Sequence, residues 1–243
     1  MGMAMVRFRP NILVSDVFGS AGDVTARHVE GETFLVKRSS VRFPGSPAQL
    51  EHLEVHRRAL AAWREVPHSV QEVWNEYARE VEPHRPPFDH SAWISGQNLF
   101  VSAYHGFHTL GREHSPEPVR FEPFPGFALS VVSAVLSGED LVLRLSVAGL
   151  EYVEASRYWL YGRVQLVETG RGLSSRVPWK SVLASGPCST SPVEVVLSEY
   201  RSVWPAVDGA SVFGVNMRFV LLDTVTGYRS QKQSGKWIVE LLG

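Results

Sequence analysis

Apolar residues recur with two different periods along this 243-residue chain. Between residues 47 and 81 the period is that of a helix. Leu50, Leu53, Leu60 and Trp63 fall at helical spacing in 47–65. Ser46 is placed to cap that helix, and Pro47 suits its first turn. Val70, Val73, Trp74, Tyr77 and Val81 then recur at i, i+3, i+4, i+7 and i+11. Ser69 and Glu72 make a capping box for this second helix, and Pro83 stops it. Only a few residues around Pro67 join the two. This predicts an antiparallel helical hairpin anchored by Trp63 and Trp74 on facing stripes. A hairpin of that size buries too little surface alone and must lean on something else.

From residue 127 onward the period falls to two, as in strands. Segments 127–136, 140–148, 157–168, 193–200, 211–222 and 227–241 read as strands, with alternation plainest at Leu141, Leu143, Leu145 and Val147. Turn signals such as Ser137-Gly138, Asp208-Gly209 and Thr226-Gly227 separate them. Six or seven strands in about 115 residues predict a small β-sandwich. Trp159, Trp179, Trp204 and Trp237 read as its packing residues. Residues 12–43 read as short strands joined by tight turns at Gly19, Gly22 and Gly31.

The fold class expected is therefore α+β, mostly β. An N-terminal β-hairpin and helical-hairpin module would span 1–114, and a fibronectin-III/immunoglobulin-like sandwich 127–243. Pro116, Pro118, Pro123 and Pro125 make 115–126 a stiff linker between them.

Composition narrows the possibilities. The single cysteine, Cys188, excludes an internal disulfide framework and the Cys–Trp–Cys pattern of antibody domains, so the fibronectin-III form is the nearer analogue. The balance of 24 basic and 25 acidic residues argues against a whole-molecule electrostatic grip on nucleic acid. No apolar run approaches the roughly 20 residues that span a bilayer. Arg7, Arg9 and Pro10 interrupt any signal peptide, and Val6 stands where myristoylation wants Ser or Thr. The expected location is the host cytoplasm or an assembled virion.

Candidate chemistry is sparse. All nine histidines lie between His28 and His114. His52 and His56 share a helix face at a spacing able to chelate a metal. Leu53-Glu54-Val55 between them puts the glutamate at the wrong place for His-Glu-x-x-His. No third ligand is selected among His84, His90, His105 and His108, so a solvated polar face is the reading and no metal or cofactor is expected. Titration of the histidines would make this half pH-sensitive between about pH 5 and 7. The Gly19-Ser20-Ala21-Gly22 run lacks the Lys-Ser/Thr ending of a phosphate loop. A Ser-His-Asp triad would have to bridge the two halves. Glu151/Glu154 and Glu139/Asp140 sit in turns. No catalytic residue is assigned, and the chain reads as a non-enzyme. Trp63, Trp74, Tyr77 and Phe100 are assigned to the structural core.

Several short elements stand in a distinctive order. Phe18-Gly19-Ser20-Ala21-Gly22-Asp23-Val24 is followed by Gly31, Val36-Lys37-Arg38 and Pro47-Ala48-Gln49. Trp74-Asn75-Glu76-Tyr77-Ala78 and Ser95-Gly96-Gln97-Asn98-Leu99-Phe100 come next. Across 12–105 this order resembles a group of uncharacterised bacterial and phage-associated proteins. Those share a Gly-x-x-Gly-Asp/Asn hairpin, a W-x-x-Y-A helix and an S-G-x-N-x-F/Y element, often before a β-sandwich. The resemblance implies a virion or assembly component rather than an enzyme.

Three functions follow as expectations. The first is a structural or assembly protein of a phage head, tail or related particle. It would act through contacts with copies of itself or neighbouring structural proteins. The second is a nucleic-acid-binding module using the basic N-terminal strands. Arg7, Arg9, Arg27, Lys37, Arg38 and Arg42 lie there, with Phe8, Phe34 and Phe43 interleaved. The third is a carbohydrate-binding sandwich with tryptophans in a groove.

Overall fold

The computed structural model describes residues 5–8, 19–21, 24–29, 32–37, 45–81, 94–120, 122–170 and 177–242. The chain forms two compact units, Met1–His52 and Leu53–Gly243.

The first unit holds β1 (Met5–Phe8), β2 (Gly19–Ala21), β3 (Val24–Val29) and β4 (Glu32–Lys37). They form an antiparallel sheet of order β1-β4-β3-β2, larger than the hairpin expected. Helix α1 (Pro47–Glu65) begins in this unit and has the predicted bounds. The Gln49 N–H donates to Ser46 Oγ at 3.3 Å, and the Ser46 N–H donates to Gln49 Oε1 at 3.2 Å. The capping box of the chain therefore lies here.

The second helix departs from its predicted start. α2 (His68–Glu80) begins at Pro67, with no side-chain cap. Ser69 and Glu72 do not form the expected box, because Pro67 already fixes the entry geometry two residues earlier. Glu72 instead pairs with exposed His68 at 3.4 Å. Gln71 Nε2 turns back to donate to the carbonyls of Trp63 and Val66, closing the end of α1.

A third helix, α3 (Gly96–Thr109), was not foreseen as one. It is built from the S-G-x-N-x-F element, with Ser95 Oγ accepting the Asn98 N–H at 3.2 Å. Leu99, Phe100, Ala103 and Phe107 make its buried stripe. This is the surface the helices needed. The two tryptophans meet through Phe100 of α3, Trp63 at 5.2 Å and Trp74 at 5.5 Å between ring centroids.

The sandwich contains β5 (Ala128–Ser137), β6 (Asp140–Ala148), β7 (Tyr158–Glu168) and β8 (Lys180–Pro187). β9 (Val193–Leu197), β10 (Val212–Asp223) and β11 (Gln233–Leu242) follow. β8 is the strand the periodicity did not pick out. One face is β5-β6-β9 and the other β8-β7-β10-β11, the division expected of a fibronectin-III-like sandwich. The end of β11 pairs in parallel with β5 at Leu241 and Leu242, so both faces join in one seven-stranded, nearly barrel-shaped sheet. Leu143, Leu145, Leu160, Val164, Val195, Val215 and Phe219 fill its interior and are fully buried.

The helices after Leu53 and the sandwich share the second unit, and 115–126 runs within it. Its segment is strapped down rather than loose. Trp74 Nε1 donates to the Pro116 carbonyl at 2.8 Å. Arg120 pairs with Glu80 at 2.8 Å, and Phe124 packs against both cores. The closest approach lies between α3 and the β10–β11 loop. A Cβ on Gly106 would overlap the Gly227 carbonyl oxygen. Gly227 has φ +72, and a Cβ there would strike the Ala103 carbonyl and the Phe107 ring. The next residue, Tyr228, is buried in the helical core.

Asp223 shapes that loop. Its carboxylate accepts two bonds of 2.7 Å from Arg157 Nε and Nη2. It also accepts the Val225 N–H at 2.9 Å and the Thr226 hydroxyl at 2.7 Å. Asp223 is 3 % exposed and Arg157 16 %, so the pair is nearly dry. These bonds push the Arg157 guanidinium above its ordinary value and keep it charged.

Gly106→Ala should lower stability by about 2 kcal/mol or more, because backbone on both sides blocks relaxation. A urea midpoint equal to that of the parent would disprove this close docking. Asp223→Ala should cost about 1–3 kcal/mol in the same measurement, since it leaves the Val225 N–H and the Thr226 hydroxyl without their acceptor and takes the two-pronged partner from Arg157, which keeps only its bond to exposed Glu122 at 3.0 Å. A loss within the range of a surface substitution would contradict the latch.

Candidate functional site

The helical pack carries a groove of about 580 Å³ beside α3. Phe100, Tyr104, Ala62, Val66 and His114 supply its floor and walls, with Glu65, Arg112 and Glu113 among the lining residues. A concave apolar site with a few convergent polar groups is the physical form of a small-ligand or side-chain pocket.

The end of α3 builds it. Gly111 adopts φ +64, which turns the chain back on itself. The Arg112 N–H reaches the Phe107 carbonyl at 2.9 Å, and the Leu110 N–H the Gly106 carbonyl at 3.1 Å. The strap at Pro116 then holds 112–116 over the bundle. His114 thereby lands among four aromatic rings. Its centroid lies 4.3 Å from Phe100, 5.5 Å from Phe107, 5.6 Å from Tyr104 and 6.0 Å from Trp74.

This environment sets the charge of His114. Burial lowers its pKa to about 4, partly opposed by a hydrogen bond to the Phe100 backbone. The imidazole is therefore neutral at pH 7. Nε2 is buried without a hydrogen-bond partner among the described residues, so the Phe100 bond is made by Nδ1–H. That tautomer leaves Nε2 as a lone-pair acceptor.

The other sequence candidates are placed as follows. Trp74, Tyr77 and Phe100 are buried in the helical core, and Trp63 packs against it. His52 is exposed on α1. His56 Nδ1 lies 3.4 Å from His105 Nε2 of α3, with stacked rings. Among the described residues, no group of three or more His, Cys, Asp or Glu is placed to hold a metal. Register puts Arg7, Phe34 and Arg27 in one cross-strand row, and Lys37 opposite Val24. Arg9, Arg38 and Arg42 lie outside the described residues. Cys188 is buried, and burial pushes its thiol up to about 12, so it stays protonated. No helix among the described residues is long and apolar enough to cross a membrane.

The groove at His114 was missed by sequence reasoning. Ser95-x-x-Asn98 followed by Leu99, Phe100, Ala103 and Phe107 was the available signal for α3. His114 was missed because three of its ring neighbours, Phe100, Tyr104 and Phe107, lie on α3, which the periodicity does not pick out, and the fourth, Trp74, lies on α2. Comparison with known protein families, curated proteins and solved structures gives no match to this chain.

The lowered pKa of His114 makes stability depend on pH. Its contribution is full above the unfolded value of about 6.5 and is lost as pH falls toward 4. After allowance for partial solvent access, the loss is on the order of 2 kcal/mol. His114→Phe should flatten this part of the profile. Thermal melts of both proteins between pH 8 and 4 test it, and parallel profiles would refute it.

Proposed function

We propose that this chain is a non-enzymatic assembly protein that associates with copies of itself through the β5-β6-β9 face of its sandwich. One feature carries the reading. The register of β5 against β6 shifts between Val131 and Ser133, a β-bulge that leaves Val132 61 % exposed. Val135, Val142 and Val196 form the adjacent cross-strand row on the same outer face. Beside them Arg144 and Glu194 pair at 3.0 Å. Clustered valines at solvent favour association. A face that also carries both charge signs is self-complementary across a two-fold axis, where Arg144 and Glu194 can exchange partners.

The resemblance of 12–105 to phage-associated proteins extends this to a virion head, tail or related particle. In that setting neighbouring structural proteins would be partners as well.

Light scattering and sedimentation over a wide concentration range test the proposal. A concentration-dependent rise in mass is expected. Val132→Glu should weaken association at least tenfold while leaving the melting temperature unchanged, because Val132 lies outside the core. A parent protein that stays strictly monomeric, alone and with its co-expressed neighbours, would overturn the assembly reading.

A further inference from the structure

The opposite face of the sandwich, β8-β7-β10-β11, carries a second groove of about 550 Å³. Strand alternation decides what lines it. Val164 of β7 and Val215, Met217 and Phe219 of β10 point into the core. Their neighbours Arg163, Asn216 and Arg218 therefore face outward. Arg163 and Arg218 are direct cross-strand partners. Like charges placed opposite each other are unfavourable in a sheet unless something compensates them.

No carboxylate among the described residues pairs with either arginine. Arg218 instead lies over the Trp179 ring, 4.6 Å from its centroid. Lys232 and Lys236 line the same groove, and Lys236 is the register partner of Asn216. Glu168 and Glu240 pair with Phe213 and Val212, toward the far end of β10.

The groove also contains a polar group that is buried but incompletely bonded. Asn216 is 1 % exposed. Its Nδ2 donates to Gln165 Oε1 at 3.0 Å, and Gln165 Nε2 donates to the Val177 carbonyl at 2.7 Å. Asn216 Oδ1 has no hydrogen-bond partner among the described residues. An acceptor left open in this way normally finds a donor.

We propose that this groove binds single-stranded nucleic acid. Arg163, Arg218 and Lys232 take the phosphates. The part-exposed Trp179 indole beside Arg218 stacks a base, and Asn216 Oδ1 accepts a hydrogen bond from a base amino group. The combination of cations with an aromatic platform favours a nucleotide chain over a sulfated glycan, whose rings have no π-face to stack. The site shares no residue with the assembly face or with the basic N-terminal strands.

Fluorescence anisotropy of a labelled 12-nucleotide single strand tests this on the full chain in low salt. Saturable binding is expected, with affinity falling as salt rises. Arg218→Glu and Lys232→Glu should each weaken it more than tenfold. Trp179→Ala should weaken it about tenfold or more. Arg58→Glu, on exposed α1, should leave it unchanged, and thermal melts confirm that each variant is folded. Absence of binding in low salt would overturn the proposal. So would affinity untouched by the folded Arg218 and Lys232 variants. A heparin fragment that competes equally well, with Trp179→Ala having no effect, would reduce the groove to a generic anion surface and also refute it.

Discussion

The backbone of α3 and the backbone of the β10–β11 loop meet with no side chain between them. Gly106 and Gly227 allow this, since neither position has room for a Cβ. A glycine inside a helix costs about 1 kcal/mol relative to alanine. The cost is offset by what the approach brings together. Tyr228 enters the helical core, and Arg229 lies 4.6 Å from the centroid of the Tyr161 ring and donates to Thr109 Oγ1 at 3.3 Å. Asp223 holds the loop in the shape this requires, and Arg157 neutralises Asp223. The helices thus supply a cap for one end of the sandwich, and the sandwich supplies the surface that a short helical pack lacks.

The surfaces with functional character depend on this frame. The groove at His114 exists because the chain leaving α3 is turned back by Gly111 and tied to Trp74 at Pro116. Four rings then exclude water from an imidazole that would otherwise titrate near neutrality. On the sandwich, a bulge directs Val132 outward on one face, while an unbroken ladder directs Arg163 and Arg218 outward on the other. Both faces use the same two-residue alternation. They differ in chemistry because one carries valines beside an ion pair and the other carries two arginines in one cross-strand row beside an indole.

Much of the fold was legible where the pattern was local. α1 has its predicted bounds, and five strands of the sandwich begin within a residue of the predicted segments, while β11 begins at Gln233 rather than at 227. α3 was less visible because its sequence is apolar on more than one side, which blurs a periodic stripe. β8 was missed because Lys180–Pro187 is short, rich in small residues and ended by Gly186 and Pro187. The capping box at Ser69 failed for a comparable reason. A motif states which bonds are available, and Pro67 had already settled where the helix starts. The site was less legible than the fold. His52 and His56 drew attention by spacing, whereas His114 has its distinctive chemistry from rings that spacing does not reveal.

The sequence by itself determined the kinds of element, their order and the mostly β character of the chain. Those follow from side-chain periodicity and turn chemistry, which act over a few residues. The tertiary structure alone decided which glycine meets which, that Arg229 reaches a hydroxyl 120 residues away, and that two arginines share one cross-strand row. Such contacts depend on strand register and helix docking. These are set by the summed packing of the whole core, so no local pattern encodes them.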